Sequence, residues 1–399
     1  MKSTIYKFLL LALVIPAVIP SCKKRDVIGP LEHNGTPPGA VSNGKVENLK
    51  GEARITYTLP DDEDLLYVKA IYEIRPGVTR EVRASFYTNN MLVDGFKDSV
   101  ATEVTLYAVN RSETVSAPYK ITVHPLRPAY LSAFDSLKVM ATFGGINIRT
   151  VNPDKKPLAI IVLLKDQFGR WTQTEAVYSQ LKEINQSKRG MDTLKKSFAF
   201  YVRDQFQNQS DTLFADLSPL YETLIPKSGF SEYLLPGDLA VNAYGRQMRH
   251  LWDGLYNGWG TAICTYETIT DTTNGAWFTF DMGTTAQLSR FTWWHYPDPR
   301  YFENASMKVY ELWGTTNPNP NGSWVGWTKL VECRESKPSG LPYGQENSDD
   351  KAAGEAGSGW EIPISAPPVR YIRVRHKYNY SGFRQTLTGC EISIWGKPL

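Results

Sequence analysis

From Lys45 onward the chain is written in short runs whose β-branched and aromatic residues fall at every second position: "EARITYTLP", "LLYVKAIYEIR", "EVRASFYT", "TEVTLYAVNR" and "PYKITVHP", each closed by a turn signal. Successive side chains of a strand point to opposite faces, so a run of this kind buries one face and wets the other. Short strands separated by regular turns suit a small two-sheet sandwich. Helical periodicity is scarce, confined to "TQTEAVYSQLKEINQS", which reads as a polar connector or a short helix. The expected fold class is all-β, in tandem sandwiches.

A chain of 399 residues is longer than one core usually needs. Residues 22–42 carry charges, prolines and no apolar period, the composition of a flexible tether. The alternating runs then fill 43–125. "PLRP" closes that block, and a second sandwich is expected over 126–220, where "KPLAIIVLLKD" and "SFAFYVRDQ" are continuous apolar runs of strand length. No sequence repeat links the two blocks. The first resembles a fibronectin type III module, on the "VTLYAVN" strand, the polar turn after it and the closing "SAPYKITV" strand.

The N-terminus is different in kind. "MKSTIYKFLLLALVIPAVIPSC" has Lys2 and Lys7 ahead of an apolar run from Phe8 to Ile19, which Pro16 interrupts. That run falls short of the ~20 residues of a stable membrane span, and its basic flank marks an export signal over residues 1–21. "VIPSC" resembles a bacterial lipoprotein box, which implies cleavage before Cys22, lipidation there and a bilayer anchor. An ordinary signal peptide followed by a stray cysteine is the alternative. Cys264, Cys333 and Cys390 remain, without CxxC or Cys/His zinc spacing, as one disulfide plus a thiol or as three buried thiols.

Ten of the eleven tryptophans lie after residue 221; only Trp171 precedes it. Such a bias marks either a ligand-contacting domain or a large aromatic core. Within 221–399 the order "LWDGLYNGWGTA", "AWFTFDMGTTAQLSRFTWW", "MKVYELWGTTNP", "GWTKLVEC", "PVRYIRVRH", "CEISIWGKP" resembles the discoidin domain, or factor five/eight type C domain, which includes carbohydrate-binding module family 32. The carriers are the Trp-Asp-Gly turn, Trp277, Asp281 and Gly283 in Trp-x-x-x-Asp-x-Gly, and Glu391, Trp395 and Gly396 near the end. The resemblance implies a jelly-roll β-sandwich with binding loops at one end. The full expectation is two immunoglobulin- or fibronectin-like sandwiches followed by a discoidin-like one. The arrangement of lipoprotein signal, fibronectin-like module, middle sandwich and discoidin-like module resembles the surface glycan-binding lipoproteins of Sus-like systems. That implies a glycan ligand, a SusC-like transporter and a SusD-like protein as partners, and the outer face of the outer membrane. The basic "CKKRD" leaves a periplasm-facing location open.

Three loops carry the candidate ligand-binding residues. In "HLWDGLYNGWGTAI" Trp259, between two glycines, and Tyr256 lie where no strand period buries them, and an indole plane can cover the C–H face of a sugar. In "WWHYPDPRYFEN" one of Trp293 and Trp294 faces inward and one outward, and His295, Tyr296, Arg300 and Tyr301 follow on a loop stiffened by Pro297 and Pro299. In "HKYNYSGFRQT" Tyr378, Tyr380, Phe383 and Arg384 lie in a Gly/Ser/Asn context. The resemblance further implies a structural calcium at Asp253 and Glu391, while a carboxylate that merely caps its own turn is the simpler reading of Asp253.

Catalysis is not expected; a glycoside-active enzyme, which needs only two well-placed carboxylates, stands as a distant third reading. No GxSxG elbow, HExxH, P-loop or Rossmann fingerprint is present, and the acidic stretches "PDDEDLL" and "ENSDDKAAGE" read as solvated loops. A formal charge of +3 with dispersed basic residues implies neither a nucleic-acid surface nor a polybasic membrane patch, and no nucleic-acid partner is expected. Docking of another protein is the rival to glycan binding, and no feature sets an oligomeric state.

Overall fold

The computed structural model describes residues 35–256, 259–265, 275–297, 299–382 and 386–399. The expected signal peptide, Cys22 and most of the expected tether lie outside them. The architecture is all-β with short helices, as the alternation predicts. Among the described residues no helix is long and apolar enough to cross a membrane.

The first block holds seven strands. Ser42–Leu49, Glu52–Thr58 and Asn90–Asp94 make one sheet in that order; Val78–Ser85, Leu65–Arg75, Thr102–Asn110 and Tyr119–Val123 make the other. The inward positions of the alternation, among them Ile55, Val68, Tyr72, Val93 and Leu106, meet between the sheets. Next come a sheet of Lys138–Thr142, Gly145–Val151 and Glu183–Lys188 and a sheet ordered Trp171–Ser179, Leu158–Lys165, Lys196–Asp204, Leu213–Leu217. Counting each block's strands one to seven, both have the order 1-2-5 and 4-3-6-7. The stretch read as connector or short helix is thus two strands, because its Thr, Val, Tyr and Ile side chains find sheet partners, such as Ile184 opposite Thr150.

The repeat extends to one turn. Asn110 Oδ1 accepts the N–H groups of Ser112 and Thr114 at 3.1 and 2.9 Å, and Asp204 Oδ1 accepts those of Phe206 and Asn208 at 2.8 and 2.9 Å. Glu113 and Gln207 follow with φ of 59° and 65°, and the hydroxyls of Ser116 and Ser210 accept the N–H groups of Ala108 and Val202. "NRSETVS" and "DQFQNQS" share little beyond these chemical positions. The chain divides into two compact units. One runs through Asp135 and takes in Lys156–Leu158 and Val202–Ser210; the other holds Ser136–Lys155, Ala159–Tyr201 and Asp211–Leu399.

In the C-terminal block an eight-stranded sheet is organised by Ala276–Trp294, a strand of 19 residues. It changes partner midway: Ala276–Asp281 pairs with His376–Tyr371, and Ala286–Trp294 with Pro398–Glu391. The corner between the halves is built by Asp281 and Gly283. Asp281 Oδ1 accepts the Gly283 N–H at 2.7 Å, and its carboxylate takes Nε and Nη2 of Arg370 at 2.9 and 2.8 Å. Gly283 has φ +73°, and a Cβ there would lie 2.5 Å from the Gly229 carbonyl oxygen. Phe278 and Phe280 before the corner, Met282 within it, and Leu288, Phe291 and Trp293 after it enter one core.

Two expectations resolve here. "ENSDDKAAGE" is not a solvated loop but leads into the helix Ser348–Ala356. Asn347 Oδ1 caps it by accepting the N–H groups of Asp349 and Asp350, and Asp350 is buried on Ser339. Cys264, Cys333 and Cys390 are all buried, and no disulfide joins them.

Gly283→Ala adds a side chain where both φ and the Gly229 carbonyl oppose it, and is expected to destabilise the C-terminal block by about 1–3 kcal/mol. The denaturant midpoint followed by tryptophan fluorescence, which reports mainly this block, checks it.

Candidate functional site

The three loops expected to carry the site meet at one end of the C-terminal block, joined by main-chain bonds. The Cys390 N–H donates to the Trp294 carbonyl at 2.8 Å, Thr388 to Ala305 at 3.1 Å, and Tyr380 to Ser306 at 3.1 Å. Ile263–Cys264 pairs with Thr388–Gly389, and the Gly254 N–H reaches Glu391 Oε2 at 2.7 Å.

At this end a cleft of about 330 Å³ is lined by Tyr256, Trp294, Tyr301, Glu355 and Ala356. Alternation along the long strand sends Trp293 into the core at 0 % exposure and leaves Trp294 at the surface, half-buried. Tyr256 is 43 % exposed, its ring 4.9 Å from that of Trp294 at 63°. The Trp294 Nε1–H donates to the Glu355 carbonyl at 3.3 Å, which fixes the indole plane. Tyr301 lies against Gly354, where an added Cβ would come within 2.1 Å of the ring, and its N–H donates to Glu346 Oε1 at 2.9 Å. The helix Ser348–Ala356, invisible as a helix to periodicity, is therefore one wall of the cleft. Its signal in the sequence is the Asn347 cap with Asp350 at the third helical position.

The other candidates are placed differently. His295 is 2 % exposed; its Nε2 lies 3.2 Å from Glu335 Oε1, which also accepts the Tyr310 hydroxyl at 2.9 Å. That imidazole belongs to an interior network, where a ligand has no access. Tyr296 is half-buried, and Arg300 sits 3.4 Å from the buried Glu303 carboxylate. Tyr378 is 39 % exposed at the end of its strand. Tyr380 packs edge-on against Phe302 at 5.6 Å with its hydroxyl buried and without a hydrogen-bond partner, and burial pushes its pKa up. Phe383 and Arg384 lie outside the described residues, as does the Trp259 side chain.

Most of the remaining tryptophans are structural. Arg373, fully buried, has its guanidinium 4.4 Å from the Trp327 ring and 4.7 Å from that of Trp324, and meets Asp238 at 3.2 Å. Trp277 and Trp313 pack edge-on against Trp324, and Arg290 covers Trp395 at 3.9 Å. The tryptophan bias reflects a cation–aromatic framework more than a ligand surface.

Asp253 and Glu391 do not fit a calcium ion. Glu391 is fully buried, with Oε1 held by the Lys227 ammonium at 2.6 Å and Oε2 by the Gly254 N–H. Burial raises its pKa, and Lys227 and Gly254 draw it back. Asp253 is exposed and accepts the Leu255 N–H at 2.9 Å, the self-capped turn of the simpler reading. Calcium takes six to eight oxygens, whereas here an ammonium nitrogen occupies the carboxylate. Among the described residues no three His, Cys, Asp or Glu side chains gather as a metal site.

A larger, polar hollow of about 570 Å³ lies between Phe230 and Trp252, lined by Glu232, Arg246, Gln247 and Arg249. Trp252, which also lines it, packs edge-on against Phe230 at 5.7 Å and tilted against Phe280 at 5.5 Å.

Comparison with known proteins gives the family. SusE-like protein BT2857 is 33% identical, over 68% of this chain and 100% of its own, with a TM-score of 0.45. The chain belongs to the SusE-like family. The assignment rests on identity along the relative's whole length. Three domains of unknown function match this SusE-like chain: DUF4959 over 38–125, DUF5126 over 126–228 and DUF5000 over 252–396. A chitobiase-like fragment from Bacteroides thetaiotaomicron is 19% identical over 44% of the chain and 93% of the fragment, with a TM-score of 0.29, too distant to carry an inference. No curated protein matches the chain.

His376, which opens the third loop segment, is fully buried with both ring nitrogens unbonded, and burial lowers its pKa from 6.5 to about 4. As pH falls below about 6.5 the unfolded chain binds a proton that the folded one refuses. Stability present above that pH is therefore lost down to about pH 4, by about 3 kcal/mol over the window. Denaturant midpoints across this range, flattened by His376→Gln, check the prediction.

Proposed function

We propose that this SusE-like protein is a non-catalytic, lipid-anchored protein of the outer membrane surface that captures oligo- or polysaccharide on the Tyr256–Trp294–Tyr301 cleft. Its C-terminal block acts as a discoidin-like carbohydrate-binding module, and the captured glycan passes to a SusC-like transporter and its SusD-like partner. The observation that carries this reading is the open pair of rings, Tyr256 at 43 % exposure with its centroid 4.9 Å from that of Trp294. Their planes stand at 63°, a bent platform that meets two faces of a twisted glycan chain better than a flat one. The exposed Glu355 and the largely buried Tyr301, 7 % exposed, complete its lining. Trp294 is held by Glu355 and Tyr301 by Gly354, so little ordering is needed on binding.

A protein-docking role has support of its own. In the middle block Trp171 and Phe214, 38 % and 64 % exposed, form a surface pair 5.5 Å apart. Retardation on a polysaccharide affinity-gel panel separates the readings. Tyr256→Ala and Trp294→Ala are each expected to weaken retention about 5–30-fold, about 1–2 kcal/mol, with melting little changed. Full retention in both variants removes the cleft. Loss only in Trp171→Ala moves glycan capture to the middle block, and no retention of the wild type with co-purification of a transporter favours the docking role.

A further inference from the structure

We infer that Lys227 does the work of a metal ion in positioning the ligand-contacting turn, so that the cleft is assembled, and binds glycan, without calcium. The inference rests on the reading of the cleft above. Three separate segments converge on Glu391: the Lys227–Gly229 turn, the Trp252–Gly254 turn, and the closing strand that Glu391 begins. The Lys227 ammonium, on a side chain 19 % exposed, contacts Oε1 at 2.6 Å, and the Gly254 N–H contacts Oε2 at 2.7 Å. A divalent cation bound at this carboxylate would have to displace the ammonium and would meet an N–H donor on the second oxygen, which repels it. The ammonium instead neutralises the buried carboxylate and leaves Oε2 free to hold the turn.

The geometry links this clamp to the cleft on both sides. Glu391 is the cross-strand partner of Trp294, and Gly254 lies two residues before Tyr256. One carboxylate therefore ties the turn that leads to Tyr256 to the strand that pairs with Trp294. Lys227 touches neither ring and is a positioning residue. A buried carboxylate stripped of its cation is strongly destabilising, so substitution loosens the turn and separates Tyr256 from Trp294.

Thermal melting and calorimetric titration with calcium chloride test the metal side directly on the wild-type protein, whatever its glycan. No calcium binding and equal melting temperatures in EDTA and in millimolar calcium are expected; calcium binding that is lost in Glu391→Ala overturns the inference. The positioning side is tested by affinity gels run well below the melting temperatures. Lys227→Met is expected to weaken retention about as much as Tyr256→Ala, and Lys227→Arg to restore most of it. Full retention in a folded Lys227→Met overturns positioning. If Lys227→Met does not fold, the wild-type calcium and EDTA measurements still decide. Failure of Tyr256→Ala to weaken retention, with melting blind to calcium, would fell the glycan reading and leave the metal-free clamp standing.

Discussion

The corner at Asp281–Gly283 is the constraint on which the C-terminal block depends. One strand serves two sets of neighbours, and it can do so only if the backbone turns without leaving its polar groups unpaired. Asp281 meets that demand, taking the Gly283 N–H and a two-pronged Arg370, while Gly283 supplies a left-handed conformation and room for the Gly229 carbonyl. Everything after the corner is carried to its place by this turn, including Trp293 in the core and Trp294 at the cleft. The spacing Trp-x-x-x-Asp-x-Gly thus has a mechanical reason.

Aromatic residues have two employments in this block, and burial separates them. Trp277, Trp324 and Trp327 surround Arg373, with Trp313 packed behind Trp324, and the desolvated charge needs both Asp238 and the electron-rich ring faces. Tyr256 and Trp294 belong to the smaller, open group. A count of tryptophans does not distinguish the groups, because the indole that covers a guanidinium and the indole that covers a sugar are the same chemical object.

The two N-terminal sandwiches show the same separation of chemistry from letters. Their seven strands follow one order, and one turn is rebuilt with Asn110 or Asp204 as the cap, Glu113 or Gln207 in the left-handed position, and Ser116 or Ser210 closing on the strand. Any side-chain oxygen that reaches the same two N–H groups satisfies such a turn. Sequence identity is therefore not required, and a search for repeated letters passes over it.

The sequence by itself determined the all-β class, because period-two alternation admits only half-buried strands, and it determined which segments hold the candidate loops. It also narrowed the outward ring to Trp293 or Trp294. Only the tertiary structure decided that Trp294 is the one, that His295 and Tyr380 face inward, that Ser348–Ala356 walls the cleft, and that Lys227 reaches Glu391. The reason is range. Alternation and turn chemistry are properties of neighbours along the chain, whereas a side chain's exposure and the partner of a buried charge depend on residues distant in sequence, 164 positions away for Lys227 and Glu391.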